Sequence, residues 1–351
     1  MPFFSNYRFA QAPRGTRTAL SEDSMKTWMH SCFGSVAFSA MLLLVAFPVF
    51  SQGSAEHRPM RVILPVSAGS GVDAIVRALS NELSKALGQP VVVENIPGAG
   101  GITGTLAIVK APADGTAIGV VSNNHVTNPN VYRTLPFDSI ADITPIAVIG
   151  TTPFVLVVNP KVPAQNVKEL IALLKAKPGE YNYASSGNGT ILHLAGAMFL
   201  DEAGVDARHI PYKGSGPMVT DLLGGQVEMG VVALPSALGH LNNGQLRAIG
   251  IAGASRTPAA PQIPTIAEQG LPHYDVSGWF AVIGPSKMPA AEVKRIHDAF
   301  VTAFSTPQVK EAMAKQGNDI NITTPEAADR FFRSEIEKYA RLVKKANIGI
   351  D

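Results

Sequence analysis

Three short segments bring together residue types that can hold an anion: Ser67-Ala68-Gly69-Ser70-Gly71-Val72-Asp73, Ser185-Ser186-Gly187-Asn188-Gly189-Thr190 and Lys213-Gly214-Ser215-Gly216-Pro217. Each follows a short apolar run and leads into a stretch with helical spacing. Amides at a helix start have no intrahelical acceptor, and the helix dipole adds positive potential there. Such a turn can therefore bind an anion with backbone groups alone. Glycine admits a ligand close to the backbone, while Ser, Thr and Asn add donors. Taken singly, each turn is also an ordinary strand-to-helix connection. Two of them facing each other across a cleft would form a carboxylate clamp.

Other chemistries find less support. Gly98-Ala99-Gly100-Gly101-Ile102-Thr103-Gly104 resembles a dinucleotide fingerprint, but its third glycine falls one place late and Pro97 precedes it. No GxxxxGK[ST] motif occurs, and Ser70 and Ser215 lack the glycine that a nucleophile elbow requires two residues on. The eight histidines never form HxH or HExxH. His193, three residues into a helix, reads as a hydrogen-bonding residue on the helix face. No cofactor and no metal are expected. An exported α/β hydrolase or transferase using Ser185 or Ser186 is the alternative, because triad members need not be neighbours in sequence.

Composition narrows the classes further. In 351 residues, 46% apolar and 16% charged, there is enough apolar side chain for a packed core, which excludes a disordered chain. Lys and Arg total 29 against 27 for Asp and Glu, so no electrostatic footprint for nucleic acid exists. The single cysteine, Cys32, can form neither an internal disulfide nor a thiolate metal cage.

The N-terminus reads as a leader. Arg8, Arg14, Arg17 and Lys26 precede an uncharged apolar run over 31–50, and Ser51-Gln52-Gly53-Ser54-Ala55 follows. This is the layout of a cleavable signal peptide over 1–51, with cleavage after Ser51 favoured over Ala55 and over a retained anchor. Met25-Lys26-Thr27 is a more natural start, which makes 1–24 a mis-assigned extension. The expected location is the periplasm.

The rest of the chain repeats strand, turn and helix. Strands are expected at 61–66, 90–94, 117–121, 154–158, 181–184, 208–212, 226–234 and 247–252. Helices are expected from Asp73 to Gly88, over 103–110 and 167–176, after Thr190, from Pro217 as first residue, and over 290–305 and 325–346. Alternation of this kind implies βαβ units and parallel sheets. The fold class is α/β with two doubly wound lobes and a cleft between them. Residues 58–152 plus 277–351 form lobe 1, and 153–276 form lobe 2 inserted into it.

The segments RVILPVSAGSGVDAIVRALSNELSKALGQPVVVENIPGAGGITGT, YASSGNGTILHLAGAMF and HIPYKGSGPMVTDLLGGQV closely resemble the Bug-type receptors. These are the extracytoplasmic solute-binding proteins of the tripartite tricarboxylate transporter family. The resemblance spans about Arg58 to Tyr339. It implies a type II periplasmic-binding-protein fold that closes like a flytrap, and no enzymatic activity. One carboxylate of a small organic acid would be held by backbone amides and waters from a loop on each lobe. Those loops supply Ser67, Ala68, Gly69, Ser70, Gly71 and Asp73, and Ser185, Ser186, Gly187, Asn188, Gly189 and Thr190. Asn123, Asn124 and His125, with Tyr212, Lys213 and Gly214, would complete the site. The implied partners are the carboxylate and either the membrane subunits of a tripartite transporter or a sensor protein; a monomer is expected. The chain departs from the family in two places. Gly69-Ser70-Gly71-Val72-Asp73 stands for Gly-Gly-x-Thr-Asp, and Val232 stands where many members carry Asp, which argues for a less polar ligand.

Overall fold

The computed structural model describes residues 58–345. The leader over 1–51, its cysteine and the start at Met25 lie outside the described residues. The chain first runs β1 (Met60–Leu64), α1 (Gly71–Leu87), β2 (Val91–Asn95), α2 (Ile102–Val109), β3 (Ala117–Ser122), α3 (Asn124–Val131) and β4 (Ile143–Thr152). Then come β5 (Phe154–Val158), α4 (Val167–Ala176), β6 (Asn182–Ser185), α5 (Ile191–Ala203), β7 (Arg208–Pro211), α6 (Ser215–Gly224), β8 (Met229–Ala233), α7 (Leu234–Asn242) and β9 (Arg247–Ile251). The last part is β10 (Gly278–Pro285), α8 (Ala290–Ser305), α9 (Pro307–Gln316), β11 (Asp319–Ile320) and α10 (Pro325–Lys345).

Two sheets organise these elements into two lobes. The first has the order β11-β4-β10-β3-β1-β2 and the second β7-β6-β8-β5-β9. Strands joined through helices are parallel: β1 with β2 and β3, and β6 with β7 and β8. The sheets are nonetheless mixed, which corrects the expectation of parallel sheets. β10 runs antiparallel to β3 and β4, and β5 runs antiparallel to β8 and β9. The cause is the crossing between lobes. Only Pro153 separates β4 in the first sheet from β5 in the second, so β5 enters without the crossover helix that enforces parallel pairing.

Packing follows the period-2 rule of strands. In β1, Met60, Val62 and Leu64 face α1 and α8 on one side of the first sheet, while Ile63 faces the other. In β10, Phe280 and Val282 share the first side, and Trp279, Ala281 and Ile283 turn towards α10. That second core is continuous with the core of the second sheet. Gly88 closes α1 in the left-handed conformation (φ 67°), as its position in the sequence implies.

Three helices were not visible as sequence periodicity. They are α3, α7 and α9; α3 contains Pro129 and three asparagines, all poor helix formers. α6 begins at Ser215, so Pro217 is its third residue rather than its first. Pro217 still lies in the first turn, where its missing N–H has no partner to lose.

The crossing strands are pinned by one side chain. Asn123 Nδ2 donates to Ser277 O (3.2 Å) and to Tyr339 Oη (2.7 Å), and Asn123 Oδ1 accepts from Trp279 N (3.0 Å). These bonds tie the end of β3 to the start of β10 and to α10, with Asn123 only 1% exposed. Asn123→Ala leaves the buried Trp279 amide and the buried Tyr339 hydroxyl without their partner. The expected loss is about 1–3 kcal/mol of unfolding free energy, read as a lower urea midpoint at unchanged slope.

Candidate ligand cleft

Six α-helices start at one cleft of about 740 Å³ between the lobes. Its lining includes Gly71 of α1, Gly101 at the cap of α2, Asn124 of α3, Ile191 of α5, Ser215 of α6 and Ala233 at the cap of α7. No Asp or Glu belongs to the lining, and Lys213 is its one charged side chain. Helix starts and a cation without a carboxylate make this a region of positive potential.

Each turn is shaped by local bonds. Ser70 Oγ caps α1 by accepting from Asp73 N, so the amides of Gly71 and Val72 have no acceptor among the described residues. Asp73 is 4% exposed and points away from the cleft. Burial pushes its carboxyl up, but hydrogen bonds from Arg77, Gly69 N and Asn95 outweigh that and hold it below the usual carboxylate range. Asp73 therefore shapes the turn rather than meeting a ligand. Thr190 Oγ1 caps α5 by accepting from His193 N, and it also donates to Gly187 O.

The sequence-derived residues divide accordingly. Ser67, Ser70, Gly71, Asn123, Asn124, Ser186, Gly187, Asn188, Tyr212, Lys213 and Gly214 line the cleft. Ala68, Gly69, Asp73, His125, Ser185, Gly189 and Thr190 do not. The amide of Asn123 is fully used at the crossing. His125 is 3% exposed and turned into the core, where Nε2 donates to Ser139 O (2.8 Å), Nδ1 has no partner and the ring packs edge-on to Phe332. Burial pushes the His125 pKa down to about 4. Val232 is buried in the core of the second lobe, and its neighbour Ala233 reaches the lining.

Sequence reasoning missed the turn from Pro97 to Gly101 and the apolar walls, chiefly Val66, Phe154, Leu192 and Trp279. The Gly98–Gly101 run was the one available signal, and it resembled a cofactor motif instead. Trp279 is core and wall at once: it is 4% exposed and lines the cleft, and its Nε1 donates to Glu335 Oε2 (2.8 Å).

The lobes meet around this cleft. Gly216 N donates to Ser67 Oγ (2.9 Å), Ile191 N to Asn124 Oδ1 (2.9 Å), and Tyr132 Oη to Asn188 O (3.3 Å). At the same seam a Cβ on Gly71 would lie 2.7 Å from Ala233 Cβ, and one on Gly216 would lie 2.6 Å from Ala68 O.

The serine-enzyme alternative finds no support here. Ser185 is fully buried; its Oγ lies 2.6 Å from His209 Nε2 but also bonds the N and O of Gly187. Ser186 Oγ donates to Thr190 Oγ1. Among the described residues no cluster of three or more His, Cys, Asp or Glu could hold a metal ion, and no helix is long and apolar enough to cross a membrane.

Residues 75–348 match the family described as the tripartite tricarboxylate transporter family receptor. The chain belongs to this family. It is 36% identical to Protein BugT of Bordetella pertussis over 303 residues, covering 86% of this chain and 93% of that one. A solved structure described as a periplasmic transporter is 37% identical, with a TM-score of 0.81 and coverage of 85% and 100%. A structure from R. palustris, Rpa4515 with adipate, is 30% identical with a TM-score of 0.81 and coverage of 84% and 98%. The receptor thus has the two-lobed α/β fold of periplasmic binding proteins of the Bug type.

Two outcomes follow for the receptor. Gly216 lies in a helix with ordinary backbone angles, so Gly216→Ala is tolerated by the second lobe itself but blocks the seam. Small-angle scattering is expected to show a larger radius of gyration than the parent at an undiminished melting temperature. The second concerns pH. Burial lowers the pKa of His125, His193 and His209 from 6.5 to about 4, and the rings of His193 and His209 stack at 3.8 Å. The unfolded chain therefore binds more protons between about pH 4 and 6.5, and stability falls as pH drops through that window. His125 alone accounts for a slope of up to about 1.4 kcal/mol per pH unit. Urea unfolding at pH 4.5, 5.5 and 6.5 checks the sign.

Proposed function

We propose that the receptor captures one carboxylate group of a small organic acid on the starts of α1 and α6, with the loop 186–188 closing over it. The observation that carries this reading is the convergence of helix-start amides, including those of Gly71 and Val72, on a cleft with no acidic side chain. Binding of adipate by a 30% identical relative supports the same ligand class. The protein releases its ligand unchanged, since its buried serine is committed to its own turn and the family consists of solute-binding receptors.

Membership of the receptor family supports a periplasmic setting. The leader over 1–51 directs the chain to the periplasm, where it acts as a monomer. Its partners are the membrane subunits of a tripartite transporter or a sensor protein. Lobe 1 comprises 58–152 with 277–351 and lobe 2 comprises 153–276, which hinge at the two crossings. Carboxylate capture favours the closed state because only closure presents both lobes to one anion.

Ser215 is the discriminating position. An aspartate there complements the dipole of α6 and leaves the fold as stable as before or slightly more so. It also puts a negative charge into the anion site. Ser215→Asp is expected to weaken carboxylate binding at least about tenfold in calorimetry, with no fall in melting temperature. Unchanged affinity would remove α6 from the site.

A further inference from the structure

One group of anion donors meets at the seam between the lobes. Ser67, Gly71 and Val72 come from the first lobe, and Lys213 and Ser215 from the second. The packing of Gly214 and Gly216 against Ser67 and Ala68 draws these segments together. Lys213 is exposed and belongs to this group, next to Gly214.

The floor, where the chain crosses between lobes, has a different character. Phe154, Gly278 and Trp279 are packed there, with the Phe154 ring directly over Gly278, and Leu192 of α5 adds to the apolar wall. Phe154 and Trp279 are each 4% exposed, and Leu192 is 5% exposed. Most polar groups at the floor are already committed, although Thr152 Oγ1, opposite Gly278, is buried with no partner among the described residues. Asn123 makes three hydrogen bonds, Asn124 Oδ1 accepts from Ile191 N, and Trp279 Nε1 donates to Glu335. That leaves Asn124 Nδ2, besides Thr152 Oγ1, as a neutral donor. Behind Trp279 the Glu335 carboxyl, 7% exposed, is held by Trp279 Nε1 and by an ion pair with Lys338.

We propose that the ligand is a monocarboxylate with an apolar, uncharged body, and that the floor of the cleft selects against a second carboxylate. The inference rests on the carboxylate reading above and adds the chemistry of the rest of the molecule. A carboxylate pressed onto Phe154, Leu192 and Trp279 by closure loses its water and gains no cation. An alkyl or aryl body at the same place gains from leaving water. Asn124 Nδ2 suits a hydroxyl or carbonyl on that body.

Calorimetry with propionate, butyrate, pentanoate, hexanoate, adipate and hexanamide tests the proposal on the full mature chain. Affinity is expected to rise about fourfold per methylene from propionate to hexanoate. Hexanoate, which differs from adipate only at its far end, is expected to bind at least tenfold more tightly. Leu192→Ala should then weaken hexanoate several-fold and leave propionate unchanged, a split that a general loss of folding does not produce. Adipate binding as well as hexanoate, or a flat alkanoate series, would overturn the inference and leave the carboxylate reading standing. Hexanamide binding as tightly as hexanoate, or no acid binding at all, would overturn both.

Discussion

A buried amide needs an acceptor, and closure of the two lobes buries several at once. The starts of α1, α2, α5 and α6 all open onto the cleft, and no residue of the lining offers a carboxylate to them. Part of the demand is met across the seam by side-chain oxygens. Asn124 Oδ1 takes the first amide of α5, and Ser67 Oγ takes the second amide of α6. The amides of Gly71 and Val72 remain available. The same geometry that makes closure possible therefore makes it incomplete without an anion.

Steric allowance is the second half of that arrangement. Peptide groups can approach a ligand from both sides only if the lobes themselves approach closely, and glycine at 71 and 216 permits it. Neither residue needs an unusual backbone angle. Their role is to leave out a side chain where the opposite lobe stands. Asn123 joins β3, the start of β10 and α10 through one amide, so the seam and the crossing are positioned by separate devices.

Much of this was legible in the sequence. The turns at 67–73, 185–190 and 213–217 stood out because glycine, serine and asparagine gather where an apolar run meets helical spacing, and the structure brings part of each to one cleft. Local pattern also fixed β5 and α4 to the residue. What it could not convey was direction. Whether β5 and β10 run with or against their neighbours depends on crossings without helices, which leave no periodicity. It also could not separate residues of one turn by where they point. Asp73 and His125 carry the right chemistry for a site, but one secures its own turn and the other is packed against Phe332. The apolar floor escaped notice because Phe154 and Trp279 look like core residues, and by burial they are.

The proposed anion site is built largely from peptide groups, and this shapes how such a protein can change. A peptide N–H is supplied by every residue except proline, so substitutions along these turns alter side chains without removing the donors. The walls and floor have no such protection, since each position there is defined by its side chain alone. Inheritance thus conserves the grip by default and leaves the fit of the ligand's body free to drift. A lineage can acquire a new acid by exchanging a few residues such as Leu192 while the means of holding the acid passes on unaltered.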